Sequence, residues 1–162
     1  MRVVERTGRR MNNHETLGVA EAFLHEKIPL TVAMGLRVVA DDEAGFSVAA
    51  PVTLNHNHLH TAFGGSINAV ATLAAYGLLW LELREEAADV VIRESSIRFL
   101  RPIHETIRAT CRRPSPTELM QFKAKLREQG KARIALHVQV KENDTLAAEL
   151  RATFVAVSTE RS

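Results

Sequence analysis

The residues with the means to do chemistry crowd into one segment, Pro51 to Leu81 (PVTLNHNHLHTAFGGSINAVATLAAYGLLWL). It reads as a strand, a polar loop, Gly64-Gly65 and a long apolar helix for which Ser66 is the expected cap. The first backbone N–H groups of such a helix have no intrahelical acceptor, and the helix dipole favours a developing negative charge there. A glycine at that point lets a substrate carbonyl approach the backbone closely, which is the geometry an oxyanion hole requires. Gly-Gly-Ser serves equally well as a plain helix start, so the motif alone leaves both readings open.

In the same loop His56, His58 and His60 alternate with Asn55 and Asn57. Fully extended, the segment would turn all three imidazoles to one side, as metal ligands or an acid–base cluster. A polar loop whose histidines cap, bond backbone or face solvent accounts for the same residues. No carboxylate ligand lies in the run, and the expectation is of no metal and no cofactor. Thr72 stands two turns beyond Gly65, about 10 Å along the helix axis. Its hydroxyl either faces a substrate entering at the glycines or bonds back to the carbonyl at Asn68.

The elements that must position these groups follow from pattern. Residues 44–81 contain no Asp, Glu, Lys or Arg, although the 162-residue chain is 25% charged. Such a run in a soluble domain has to be mostly buried. From Ile67 to Leu81 the helix is apolar on nearly every face, too short for a bilayer span of roughly 20 residues and suited to a domain core. Tyr76 and Trp80 are expected in that core or at a subunit interface. Before it, Leu17, Ala20, Leu24 and Ile28 recur at helical spacing behind Asn12 and Asn13, and Pro29 ends the helix. Gly35–Ala40 and Phe46–Ala50 read as strands.

Beyond the long helix, whose predicted end is Glu86, Asp89–Leu100, Ile103–Arg113, a strand carrying Ile134 to Val140, and Leu146–Val157 alternate with period two. Ser115-Pro116-Thr117-Glu118 is a capping box opening a short helix that ends near Gly130. The fold class is α+β, an antiparallel sheet wrapped around one buried helix.

The domain spans residues 14–157, between a basic tail at 1–13 and a short C-terminal tail at 158–162. Four Arg and one Glu in the first 13 residues account for the basic balance, so no cationic folded face is expected and nucleic-acid binding is disfavoured. Met11 is a plausible alternative start. No apolar stretch follows the tail as a signal peptide requires, and the single cysteine, Cys111, suits a reducing compartment, so the expected location is cytoplasmic with no membrane partner.

Asn57, then Phe63-Gly64-Gly65-Ser66, a long apolar helix, and a strand ending Ile97-Arg98-Phe99-Leu100-Arg101-Pro102 together resemble a hotdog-fold thioesterase. Thr61 to Ser66 with Gly77-Leu78-Leu79-Trp80 is similar, more narrowly, to the thioesterase domain at the C-terminus of some bacterial acetyltransferase fusions. The resemblance covers residues 14–157. It implies an acyl-CoA or acyl carrier protein substrate, and a homodimer or dimer of dimers with sites at the subunit boundary. It further implies that Asn57 orients water or thioester, that the Gly65 N–H polarises the carbonyl, and that Phe63, Gly64 and Ser66 line the site. Arg98, Arg101, Arg112 and Arg113 are candidates to meet CoA phosphates.

Thr72 falls where many relatives carry Asp or Glu, and Phe63 where many carry His. A threonine is a poor general base unaided, so the proton would pass to His58, His60 or a carboxylate such as Glu94. Thioester hydrolysis leads. The alternatives are an acyl-CoA-binding module without catalysis, prompted by the missing acid, and a hydratase or dehydratase, disfavoured because the helix offers no carboxylate.

Overall fold

The computed structural model describes residues 12–160, so the tail expected at 1–13 lies almost wholly outside the described residues. Helix α1 (Asn13–Lys27) opens on Asn12, whose side chain accepts from Glu15 N while the Glu15 carboxylate accepts from Asn12 N. That reciprocal box satisfies two helix-end donors at once. Pro29 ends α1 by driving Ile28 out of helical geometry, and then opens α2 (Pro29–Ala33), a single turn that has no sequence periodicity to betray it. The buried Thr31 hydroxyl holds that turn on the carbonyls of Leu24 and Ile28.

Strand β1 (Arg37–Asp41) starts two residues later than predicted, because Gly35 has φ +67° and turns the chain first. There follow β2 (Gly45–Pro51), a 3-10 turn (Val52–Leu54), α3 (Gly64–Glu82), β3 (Ala88–Phe99), β4 (Thr106–Arg112), α4 (Pro116–Gln129), β5 (Lys131–Glu142) and β6 (Thr145–Ser158). The six strands form one sheet in the order β1-β2-β4-β5-β6-β3, every pair antiparallel.

Other predicted boundaries move as well, α3 ending at Glu82, four residues before the predicted Glu86. Ser66 is the third residue of α3 rather than its cap; Phe63 occupies the N-cap and supplies no side-chain hydrogen bond. The strand predicted from Ile103 begins at Thr106, because the Glu142 carboxylate gathers the N–H groups of His104, Glu105 and Thr106 and bends the chain around itself. Burial works to raise the Glu142 pKa, and the backbone donors from Glu105, His104 and Thr106 outweigh it and hold the group below the usual carboxylate range.

α3 lies on one face of the sheet with Ile67, Val70, Ala71, Leu73, Ala74, Ala75, Gly77, Leu78 and Leu79 buried. By length and composition alone it would pass as a membrane span; here it packs on β2, β4, β5, β3 and β6. Its approach is set by Gly77, where an added Cβ would drive into the ring of the fully buried Phe46. Beneath it Cys111 is buried, which pushes its thiol up to about 12.

Gly77→Ala should destabilise the protein by about 2 kcal/mol in chemical denaturation, overpacking against Phe46 outweighing roughly 1 kcal/mol of helix propensity gained. A gain in stability would show the helix free to shift. For Glu142 the folded pKa is depressed, so its stabilisation is full at neutral pH and is lost as pH falls through the folded value. The stability gap between wild type and Glu142→Gln should therefore shrink between pH 5 and pH 3, where denaturation midpoints that stay parallel would contradict this.

Candidate active site

The loop before α3 is a tight hairpin. His56 bridges to Ala62, Asn57 N donates to the Thr61 carbonyl at 2.8 Å, and His60 takes a left-handed φ of 60°. Asn57 is the staple of this turn. Its Oδ1 accepts from Leu59 N (2.9 Å) and Thr61 N (3.2 Å), and its Nδ2 donates to Thr61 Oγ1 (3.0 Å). The Asn55 side chain, buried, donates to the carbonyls of Met34 and Pro51, while its own carbonyl accepts from Phe63 N at 2.7 Å. Ala62 N bonds the Ile103 carbonyl at 2.8 Å. These bonds fix the point at which the chain enters the helix.

The hairpin also decides the histidines. An extended loop would align all three; instead the turn brings the His56 and His60 rings to 5.3 Å, ties His56 Nδ1 to the Asn57 carbonyl, and leaves His58 exposed. Among the described residues no three His, Cys, Asp or Glu side chains converge as a metal site would need.

At the helix start, the N–H groups of Gly64, Gly65 and Ser66 find no acceptor among the described residues; the first helical bond is Ile67 N to the Phe63 carbonyl at 3.0 Å. Three donors thus point out of the positive end of a 19-residue helix. The surroundings are apolar and open. Phe63 is 55% exposed and its ring leans over Gly65, 2.5 Å from where a Cβ would stand. Phe99, 54% exposed, lies against Gly64 from the end of β3.

Along α3 from the glycines, Asn68 and Thr72 share one half-buried stripe with Tyr76 and Trp80. Thr72 Oγ1 donates to the Asn68 side-chain oxygen at 3.4 Å, a side-chain partner in place of the expected backbone carbonyl. Phe23 of α1 stacks on Trp80 at 4.1 Å and covers the far end of the stripe.

The structure therefore brings together Phe63, Gly64, Gly65 and Ser66 at one point and sets Thr72 on the helix face below. Asn57 and His58 belong to the adjoining hairpin. Arg98 is not brought to this site. Strand alternation that turns Phe99 toward Gly64 turns Arg98 to the other face of the sheet, opposite Glu149. Arg101 is exposed just past β3, its N–H on the Ala147 carbonyl. Arg113 is held by Asp41 and Glu82. Two residues went unassigned by sequence reading, Phe99 and Asn68. Period-two alternation places Phe99 on the inner face, but its meeting with Gly64 is a contact across 35 positions that no local pattern encodes.

An antiparallel sheet wrapped on a single helix, with open glycine amides where that helix begins, defines the hotdog class. Residues 19–158 match the family model described as "Putative thioesterase (yiiD_Cterm)", and the chain belongs to that family. Among solved structures it is similar to a protein of unknown function from Chlorobaculum tepidum, at 25% identity and TM-score 0.84 over 91% of this chain and 97% of that one. The "putative thioesterase" from Shewanella oneidensis is 28% identical with TM-score 0.78, covering 89% of this chain and 99% of that one. The PaaI protein of the E. coli phenylacetic acid degradation operon shares the fold at 16% identity and TM-score 0.60, over 88% and 94% of the two chains.

Because Asn57 closes the hairpin, Asn57→Ala should accelerate amide hydrogen exchange at Leu59 and Thr61 by tenfold or more, with little change at the strands of the core. Unchanged exchange at those two amides would show that the turn holds without the side chain.

Proposed function

We propose that this protein hydrolyses acyl thioesters, with acyl-CoA or an acyl carrier protein as substrate. The observation that carries the reading is the set of unsatisfied N–H groups at Gly64, Gly65 and Ser66 opening onto the rings of Phe63 and Phe99. The thioester carbonyl oxygen takes up the Gly65 N–H, which lies at the positive helix end and strengthens its bond as charge develops. Phe63 and Phe99 wall the acyl group and exclude water from the hydrogen bonds. Water adds to the carbonyl carbon and its proton passes to a base; the C–S bond then breaks, and the thiolate leaves and is protonated.

Thr72 donates its hydroxyl hydrogen to Asn68, so its oxygen lone pairs remain available to orient the water. The helix contributes no ionised group before Glu82, which leaves an imidazole of the hairpin, His58 or His60, to take the proton; Glu94 shares the outward face of β3 with Arg98 and is turned away from the site.

The same proposal includes a homodimer joined through β3. That strand is an edge twelve residues long, with one row of backbone groups unpaired and with Val91 and Ile92 exposed. A bare edge of this kind is a template for strand pairing. A second copy there would enclose the stripe from Gly65 to Thr72. A reducing, cytoplasmic setting completes the proposal, consistent with a lone buried thiol.

Thiol release across short, medium and long acyl-CoA esters tests the reaction. Gly65→Val, which places a side chain where the Phe63 ring now leans, should lose 100-fold or more in kcat/KM, the scale of removing an oxyanion donor. Thr72→Val should lose about tenfold, mainly in kcat. Wild-type turnover no faster than Gly65→Val would end the hydrolase reading. Saturable acyl-CoA binding without turnover would favour the non-catalytic module, for which the bond between Thr72 and Asn68 in place of an acid is the structural argument.

A further inference from the structure

The side of the sheet turned away from α3 carries an arrangement that thioester chemistry does not use. The ladder between β4 and β5 sets Arg108 directly opposite Lys141, and Thr110 opposite Gln139. Like charges directly opposed on one sheet face repel and destabilise the pair. One step along the same register come Arg112 and His137, with Arg151 opposite His137 on β6. None of Arg108, Arg112, Lys141 and Arg151 makes a side-chain ion pair or hydrogen bond among the described residues.

His137 adds a second anomaly. Its Nε2 is buried without a hydrogen-bond partner, and the nearest carboxylate oxygen, on Glu149, is 3.8 Å away. That separation is too long for a hydrogen bond. Arg108, Thr110, Arg112, His137, Gln139 and Lys141 line a trough of about 870 Å³. On β2, Ser47 and Ala49 lie opposite Thr110 and Arg108, with Ser47 Oγ 2.7 Å from Thr110 Oγ1. Three acidic residues, Glu105, Glu142 and Asp144, also line the trough. Glu142 is committed to three backbone amides, and Glu105 and Asp144 are exposed, as are Arg108 and Lys141.

We infer that this trough binds a phosphate-bearing small molecule of nucleotide size, its phosphates held between Arg108 and Lys141. An anion there turns cross-strand repulsion into a two-sided clamp, since Arg and Lys both donate to phosphate oxygens. The volume matches that of ordinary small-molecule sites. Arg108 and Arg112 are four positions apart on one strand, about 13 Å. A single phosphate cannot satisfy both, whereas a phosphate at one end with a sugar and base extending over Thr110 and Gln139 reaches His137 and Arg112. The site lies on the opposite face from Gly65, so it stands whether or not the chain hydrolyses thioesters.

Calorimetric titration of the full-length protein in 150 mM salt with ATP, CoA, pyrophosphate and adenosine tests this. Saturable binding of ATP or CoA is expected, with adenosine at least tenfold weaker, and the tighter of the two identifies the source of the phosphates. Pyrophosphate as tight as either would support the clamp and confine recognition to phosphate. Arg108→Gln with Lys141→Gln should weaken binding tenfold or more, yet raise the unliganded Tm by relieving the repulsion; Gly65→Val should bind ATP as wild type. The inference is overturned by adenosine binding as well as ATP, by no saturation at millimolar ligand, or by affinity unchanged in the double variant. It is equally overturned by loss of ATP binding in Gly65→Val, or by a double variant that changes oligomer size on a sizing column, which would show this face seating a second copy.

Discussion

Everything at the candidate site depends on how closely α3 lies against the sheet. That distance is set where Gly77 meets the ring of Phe46, because no other residue type leaves room for the ring. With the middle of the helix pinned there, its first turn falls beside the end of β3, where Phe99 reaches Gly64. The hairpin completes the placement through two backbone bonds, Ala62 to Ile103 and Phe63 to Asn55. A core contact and a loop thus fix the direction of three amides, and the amides need no side chain to be aimed.

The two ends of α3 are treated in opposite ways. At its C-terminal end Glu82 stands against the helix dipole, an unfavourable place for an acid. Arg113 and Lys123 offset it, and Arg113 also holds Asp41 of β1, so the end is locked to strand, sheet edge and α4 together. Arg127 on Glu86 adds a second tie just beyond. At the N-terminal end no side chain caps the helix, although Ser66 stands nearby and a cap typically contributes about 1 kcal/mol. Leaving that stabilisation unused while bracing the other end is what a helix start kept free for a ligand would show.

Most of this architecture is legible in the sequence, because the buried helix, the alternating strands and the Ser115 capping box are all local patterns. The boundaries that moved were decided by partners distant in sequence. Glu142 bends the chain at 103–106 across 36 to 38 positions, and Phe63 displaces Ser66 from the cap only because Asn55 and Ile103 fix the loop. The histidine loop was misleading for a different reason. Alternation implies a shared face only in extended backbone, and the Asn57 turn removes that condition. Arg98, one of four arginines offered as phosphate contacts, lies on the sheet face away from Gly64, because adjacent strand residues face opposite ways and its neighbour Phe99 faces the helix.

That alternation also explains how one sheet sustains two unlike surfaces. β4 gives Ile107, Ala109 and Cys111 to the core, and Arg108, Thr110 and Arg112 to the other face; β5 gives Val138 and Val140 inward, and His137, Gln139 and Lys141 outward. The charge-free run packs against the first set, so the inner face has little besides backbone amides with which to polarise a carbonyl. The second set holds cations, and one imidazole nitrogen, without a bonding partner among the described residues. Apolar burial by the inward residues supplies the stability that lets the outward ones retain mutual repulsion. Their unfavourable spacing is thus sustained by the core and is not a product of it, and its cause has to be sought in what the outer face meets.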